Sequence, residues 1–524
     1  MRFKHLAERI PKVWVLHPDE VAVLDANAEA LGIDPMGLMV EASGAIVRDL
    51  AMAASRGVFS GEAWFLCGPG RNGGDGWMAA DLLAQLDVPL RPRILSTVPL
   101  GEGALSAEHL DMPQEVHVIG ASEFEPPLPK PASGETMPAV IVDCLLGAGQ
   151  RGPIRGRVRT LLDRLQEHLG AHTPRVLAAD LPTGVGSQRS VRAIRTITFH
   201  QPKLSMYGED GRLYPEVGAL IVAPLPWPSA TTDVGPGDAL RYPSIDPSST
   251  KGDRGRVLVI GGGPFHGAPL LAGLAAARVG ADLVHVAMPR GASSRAAWPT
   301  SLIPEVLPDE DHLTSASLDP ISERISSGRG VQSIVIGPGL GTHQETLEAV
   351  HSILDLAKGK DIPVVVDADA IAALPRGVWP SGLRGVATPH LRERQRWIED
   401  VDPSVILDAA ARTAEWRMHR PEVEDAVVVT TGAVDELVGL AGRFARAEGG
   451  HPRMAMGGSG DVLAGAIGGL LAVGMPAWPA SRLATHLMRR AGAEAASVHG
   501  PGMVAEDVPE HLARVLVGLI PKTS

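Results

Sequence analysis

Cysteine is nearly absent. Two residues in 524, Cys67 and Cys144, are too few for a disulfide framework, and neither has a second Cys two positions away to begin a zinc site. Both lie in apolar strand-like runs far apart in sequence, which points to a reducing compartment. Runs of basic residues are missing too. With 48 Lys and Arg against 60 Asp and Glu, a formal charge of −12 and a pI near 5.8, an extended nucleic-acid footprint is excluded and at most a small basic pocket is left. Nor is there an apolar run of spanning length. The uncharged stretch Val462–Trp478 falls short of the roughly 20 residues a membrane helix needs, is rich in Gly and is interrupted by Pro476, so it reads as a buried core helix. The first nine residues, Met1–Arg9, are charged where a signal peptide is apolar and include an acid that transit peptides avoid. A cytoplasmic protein is expected.

What is present is the composition of a globular chain: 44% hydrophobic, 21% charged, 60 Gly and 44 Pro. At about 150 residues per domain, one core does not serve this length, and we read two domains. Short β-branched runs alternate with amphipathic segments, the pattern of parallel sheets covered by helices. In the first half the runs are Trp64–Cys67, Leu90–Leu95, Val140–Asp143, Arg175–Ala179, Ile194–Phe199 and Ala219–Val222. In the second they are Arg256–Ile260, Leu283–Ala287, Ser333–Ile336, Pro363–Val366, Gly385–Thr388 and Ala426–Thr430. The fold class expected is α/β, with two doubly wound domains. Pro/Ser/Gly-rich stretches from Pro224 to Gly237 and from Tyr242 to Thr250 have linker composition, giving domains 1–230 and 251–524 joined by 231–250. The Pro-rich stretch Glu123–Met137 reads as a surface loop, and no solenoid-type repeat is evident.

Three segments of the first half carry chemistry. Phe65–Leu83 is an apolar strand running into the loop Gly68-Pro-Gly-Arg-Asn-Gly-Gly-Asp-Gly76 and then an amphipathic helix. Such glycines admit a ligand close to the backbone, and free N–H groups at a helix start favour an anion, although Asp75 is also a candidate N-cap for a helix beginning at Gly76. Ile141–Pro153 and Leu177–Gly184 each deliver a carboxylate, Asp143 and Asp180, to a strand C-terminus, the edge where open α/β sheets bind ligands. Asn72, Asp143 and Thr183 are oxygen donors suited to a hard cation, and Asp180 is suited to proton transfer or to holding a hydroxyl.

These segments, taken in order with Leu38–Gly44, resemble the family of NAD(P)H-hydrate epimerases over roughly residues 15–225. The resemblance implies that Asn72, Asp143 and Thr183 bind potassium. It implies that Arg71, Asn72, Gly73, Gly74 and Asp75, with Gly147, Ala148, Gly149, Gln150, Arg151, Gly152 and Pro153, hold the substrate. Asp180 then contacts or deprotonates it. Three positions depart from the family pattern: Arg71 stands for a usual Asn, Thr183 for a usual Ser, and Gly186 for a frequent Asp.

In the second half, Gly457, Gly458, Ser459 and Gly460 precede Asp461 at the opening of a long apolar helix. Unobstructed N–H groups there suit a phosphoryl group, and Asp461 suits a proton from an attacking hydroxyl; the bland alternative is an N-cap. Gly261–Gly263, Gly337–Gly341, Asp367 to Ala370 and Thr388-Pro389-His390 end other strands with ligand-capable groups. Histidines such as His266, His285 and His486 read as packing or surface residues.

This set resembles the ribokinase-like superfamily and, within it, the ADP-dependent NAD(P)H-hydrate dehydratases, over roughly residues 247–520. Fused to an epimerase-like half, the whole resembles the family of bifunctional NAD(P)H-hydrate repair enzymes. The resemblance implies a reactive centre at Gly460 and Asp461, hydrate contacts at Gly341 and His390, ADP as co-substrate, Mg2+ on its phosphates, and a homo-oligomer. Here too there are departures: Leu391-Arg-Glu393 where Pro-Gly-Glu is usual, Thr431-Gly432 for Lys-Gly, and His451-Pro-Arg453 for Asn-Pro-Gly. Two rival readings stay open at this point: an ATP-dependent small-molecule kinase in the second half, and a non-catalytic binding module in the first.

Overall fold

The computed structural model describes residues 15–99, 102–103, 105, 110, 116–118, 137–150, 152–170, 172–208, 211–410, 426–440 and 443–520. Most of the 123–137 loop and the 1–9 segment lie outside them. The chain forms two compact units, Met1–Pro228 and Ser229–Ser524.

In unit 1 the strands are β1 (Gly61–Cys67), β2 (Leu90–Ser96), β3 (Val116–Val118), β4 (Val140–Cys144), β5 (Val176–Ala179), β6 (Arg195–Phe199) and β7 (Ala219–Ala223). They lie in the order β3-β2-β1-β4-β5-β6-β7, every pairing parallel. Strand order reverses between β1 and β4, which makes their C-terminal ends the place for a ligand. Alternation along β1 sends Phe65 and Cys67 to the layer of α2 (Pro35–Ser55) and α3 (Arg71–Ala84), and Trp64 and Leu66 to that of α4 (Gly156–Leu169). Each such buried large side chain contributes roughly 2–3 kcal/mol. Helix α2 starts where Asp34 accepts the N–H of Met36 and Gly37 and Pro35 fills the first turn. An earlier helix, α1 (Pro18–Ala30), supplies Asp25 to the site described below.

Unit 2 has nine strands: β8 (Arg256–Ile260), β9 (Leu283–Pro289), β10 (Ile303–Leu307), β11 (Ser333–Ile336), β12 (Val364–Val366), β13 (Gly385–Ala387), β14 (Ala426–Thr430), β15 (Asp435–Gly439) and β16 (Phe444–Ala447). The order is β10-β9-β8-β11-β12-β13-β14-β15-β16, parallel as far as β14 and antiparallel beyond. Val257 and Val259 of β8 join the core under α5 (Ala268–Arg278), α11 (Ser459–Ala472), α12 (Ala477–His499) and α13 (Val508–Leu519). Leu258 and Ile260 join the opposite core, with α7 (Leu318–Ser326), α8 (Gln344–Gly359), α9 (Leu391–Ile398) and α10 (Pro403–Ala410). The short helix α6 (Arg290–Arg295) follows β9.

Of the uncharged stretch Val462–Trp478, expected as one buried helix, Ala477 and Trp478 belong to α12, and the part in α11, as far as Ala472, is buried. Its glycines are packing residues: a Cβ on Gly465 would lie 2.0 Å from the Ala272 carbonyl oxygen, and one on Gly468 would lie 2.2 Å from Val335. Among the described residues no helix is long and apolar enough to cross a membrane.

All twelve expected strands are present, and two doubly wound units are what the chain folds into. Four strands lacked a signal. Three-residue β3 is too short for a period, β10 carries Pro304 and survives as an edge strand, and β15 and β16 form an antiparallel hairpin beyond the parallel set.

The segment 231–250 departs from its linker reading. Turns at Ser229–Thr232 and Pro236–Arg241 are built into unit 2, because buried Arg482 donates to Asp238 at 2.6 Å and to the carbonyls of Thr232 and Asp233. Charge neutralisation of Arg482 overrides the Pro/Gly composition, and only the later part, from about Ser244 onward, is exposed.

Candidate active sites

In unit 1 the loop after β1 is tighter than a ligand cradle requires. A Cβ on Gly68 would sit 1.8 Å from the Leu145 carbonyl oxygen, and one on Gly73 equally close to that of Gly68. Gly68 therefore lets the ends of β1 and β4 approach one another, and Gly73 lets α3 start directly against the turn after β1. Helix α3 begins at Arg71, capped by Gly70, so Asp75 lies inside the helix and is not the N-cap the sequence offered. Its carboxyl is buried and pushed well up, first by burial and then by the charges of Asp180 and Asp25.

Asp143 and Thr183 meet. The Thr183 N–H and hydroxyl donate to the two Asp143 oxygens at 2.7 and 2.8 Å, and Leu145 N–H adds a third bond at 3.2 Å. Burial pushes the Asp143 carboxyl up to about 6 against these donors. Asn72 is buried nearby with neither side-chain atom bonded. The absent Cβ of Gly147 would touch Asn72 and Asp180 at 3.2 Å each, so Asn72, Gly147 and Asp180 line one space.

Asp180 holds a left-handed φ of 61°, uncommon for a residue with a side chain. One carboxylate oxygen accepts the Ala148 N–H at 3.1 Å; the other receives Thr198 Oγ1 and is in an ion pair with Lys203. Lys203 is 1% exposed and also donates to Thr198 Oγ1 and the Phe199 carbonyl. Sequence reading missed it. The available signal was a lone Lys in Gln201-Pro-Lys203, just past an apolar strand end.

Arg71 is exposed and paired with Asp25 at 2.6 Å, which gives this departure from the family pattern a local partner. Gln150 accepts the Gly184 N–H at 3.0 Å, and Gly149 and Gly152 have open space where a Cβ would be. Pro153 follows, partly to fully exposed, and Arg151 lies outside the described residues. Gly186 has a physical reason to lack a side chain: its φ is +75° and a Cβ would meet the Tyr214 ring at 2.9 Å.

In unit 2 a cleft of about 500 Å³ lies at the C-terminal ends of β8, β11 and β12. Gly457, Gly458, Asp461, Asp369, Phe265 and His266 are among the residues that line it. Asp461 is the third residue of α11, behind Gly458 at φ +97°; it sits in the first turn and does not cap it. Gly457 and Gly460 have nothing within 4 Å of a would-be Cβ, and Ser459 donates to the Met454 carbonyl at 2.7 Å. The backbone at Gly457 and Gly460 thus borders open space.

The cleft is acidic. Burial, then the charge of Asp369, pushes the Asp461 carboxyl up to about 6, with Glu393 adding to it. Burial, then Asp461, pushes Asp367 up to about 8, although Thr388 donates to it at 2.6 Å. Gly341 donates its N–H to Asp369 at 2.8 Å and lines an adjoining cavity. His390 caps α9 with Nδ1 and lies outside the lining of the cleft. His266, read as packing or surface, lines it instead. Asp369, in the Asp367 to Ala370 segment that the sequence offered as ligand-capable, belongs to it as well, as does the exposed ring of Phe265, which the sequence reading missed. Arg453, a candidate replacement for the missing Lys at position 431, donates to the Pro501 carbonyl.

Two doubly wound units, each with carboxylates and glycine turns at the C-terminal edge of its sheet, define a two-domain α/β enzyme. Family models match each half: YjeF-related protein N-terminus over residues 37–205 and NAD(P)H-hydrate dehydratase over 257–514. The bifunctional NAD(P)H-hydrate repair enzyme Nnr of Hyperthermus butylicus is 33% identical over 95% of this chain and 91% of its own. That of Methanothermobacter thermautotrophicus is 30% identical over 96% and 95%. A solved structure of the ADP/ATP-dependent NAD(P)H-hydrate dehydratase from Bacillus subtilis aligns with 54% of this chain and 96% of its own, at 23% identity and a TM-score of 0.43. The chain belongs to the family of bifunctional NAD(P)H-hydrate repair enzymes.

Proposed function

We propose that unit 1 interconverts the R and S hydrates of NADH and NADPH, and that unit 2 dehydrates the S form with ADP, releasing AMP and phosphate. The observation that carries this reading is one cleft holding Asp461 beside the open first turn of α11. A carboxyl pushed up to about 6 is a base matched to neutral pH.

Asp461 takes the proton of the ring hydroxyl, whose oxygen bonds to the terminal phosphorus of ADP as the bond to AMP breaks. The N–H groups of Gly457–Gly460 stabilise the charge on the transferred group. The ring nitrogen lone pair then expels phosphate, and loss of a proton from the adjacent carbon restores the dihydronicotinamide. Phe265 offers an exposed aromatic face to a planar ring. Gly341 borders the same region, and His390 stands outside the lining.

Mutual repulsion of Asp367, Asp369, Asp461 and Glu393 is the environment a hard cation relieves, so Mg2+ carried on the ADP phosphates fits there, supplying charge neutralisation. In unit 1 the unbonded buried oxygen of Asn72, with Asp143 and Thr183, fits a K+ ion that would orient the substrate. Asp180 handles the substrate proton, and Lys203 is a positioning residue that aims that carboxylate through their ion pair.

Purified protein given S-NADPH-hydrate and ADP is expected to regenerate reduced-nicotinamide absorbance; no rise would overturn the reading. Asp461→Asn is expected to lower dehydration by about 10³-fold or more while epimerisation persists.

A further inference from the structure

Beside the cavity that adjoins the unit 2 cleft and that Gly341 also lines, His312, His343 and Glu345 converge. His312 Nε2 lies 3.0 Å and His343 Nδ1 3.6 Å from the same oxygen of Glu345, and the two imidazole centroids are 4.0 Å apart. One nitrogen from each His and one carboxylate oxygen all fall within 4.8 Å of one another. His312 follows β10, whereas His343 and Glu345 open α8, so the tertiary fold assembles the group.

The orientation of His343 is the telling feature. Four histidines occupy N-cap positions among the described residues of unit 2; His390 and His451 accept backbone N–H groups with Nδ1, whereas His343 and His499 do not. His343, at the cap of α8, makes no such bond; its Nδ1 is turned to Glu345. A ring that forgoes capping to join a second imidazole and a carboxylate presents a donor set of two nitrogens and one oxygen. Mg2+ and Ca2+ select oxygen donors, whereas imidazole with carboxylate suits Zn2+ and its first-row neighbours. Three protein ligands leave a coordination position open, and His312 and His343 both line a cavity of about 330 Å³ that also holds Arg295 and Asp311.

We propose that His312, His343 and Glu345 form a binding site for a divalent transition-metal ion of the Zn2+ type at the wall of this cavity. No part of the reading of the two active sites enters the proposal.

The test uses untagged full-length protein stripped with chelator, then titrated calorimetrically with Zn2+ and, separately, with Co2+ followed by visible absorption. One equivalent should bind, with a cobalt absorption band in the visible and a rise in melting temperature. His312→Ala, His343→Ala and Glu345→Gln should each weaken binding by about tenfold or more. His351→Ala, at an exposed His on α8 paired with Asp355 outside the cluster, should leave it unchanged. These positions are exposed or partly so, and thermal melting of each metal-free variant verifies its fold. Absence of binding, or equal affinity in His343→Ala and Glu345→Gln, overturns the proposal.

Discussion

The two sites handle buried negative charge in opposite ways. In unit 1 the chain brings its own cations: Lys203 sits against Asp180, Arg71 against Asp25, and Asp143 is wrapped by three donors. In unit 2, burial and the charges of Asp369 and Glu393 raise Asp461, burial and the charges of Asp461 and Glu393 raise Asp367, and position 431, where the resemblance leads one to expect Lys, is a Thr. Asp180 of unit 1 has its counter-ion before substrate arrives, although Asp75 stays pushed up by burial and by the charges of Asp180 and Asp25, whereas the carboxylates of unit 2 acquire their balance from what binds. An isomerisation with no co-substrate suits the first, and transfer of a phosphoryl group, which brings its own counter-ions, suits the second.

Asp461→Asn, described above, attacks the second arrangement and has the largest expected effect. The corresponding attack on the first is Lys203→Met. It leaves a buried carboxylate unpaired, so epimerisation should fall about 10²-fold and unfolding free energy by roughly 3 kcal/mol, read by isomer-resolved chromatography and denaturant titration. Lys203→Arg should recover part of the rate if charge and position are what matter. Dehydration in that variant is expected to stay within twofold or so of the parent, which would show that the contrast is local to each unit.

Acidity separates the sites next. Below pH 6, kcat/KM for dehydration should fall about tenfold per unit, because Asp461 must be ionised to accept a proton. Stability moves the other way. A carboxyl raised by folding stabilises while protonated, fully so below its ordinary value of 3.8, and this contribution is lost as pH climbs through about 6 for Asp461 and about 8 for Asp367. Calorimetry across that range should therefore show unit 2 losing stability where its dehydration rate rises.

The smallest effect belongs to Gly186→Asp, which restores the residue frequent in relatives. A left-handed backbone and a Cβ 2.9 Å from Tyr214 predict a loss of about 1–2 kcal/mol with no gain in epimerisation. A faster, equally stable variant would mean that the loop had adapted to its glycine and kept room for the acid.

How much of this could be read beforehand depended on range. Strands with uninterrupted apolar period, such as Val140–Cys144 and Ala426–Thr430, and the glycine turns after them were legible, because local pattern and tertiary role coincide. So was the meeting of Asp143 with Thr183, since adjacent parallel strands bring their ends together. Lys203 and Phe265 were not, because each reaches its site from a connecting segment whose path is a tertiary fact. The cap alternatives raised for Asp75 and Asp461 fail for another reason. Glycine was taken as loop, yet Gly73 and Gly76 lie inside α3, where a Cβ on Gly76 would strike Cys144 and Cys67. Likewise Pro236–Arg241 was given linker status by composition, and Arg482 made it core.

The bare backbone of α11 bears on inheritance. With Gly465 against Ala272 and Gly468 against Val335, this rod has no latitude to slide or roll, and its leading turn is where the reacting acid stands. A methyl group added two turns downstream would therefore be felt as a misaimed proton acceptor before it was felt as a loosened interior. Drift in the repair chemistry can thus begin at alanines and glycines that never see a nucleotide.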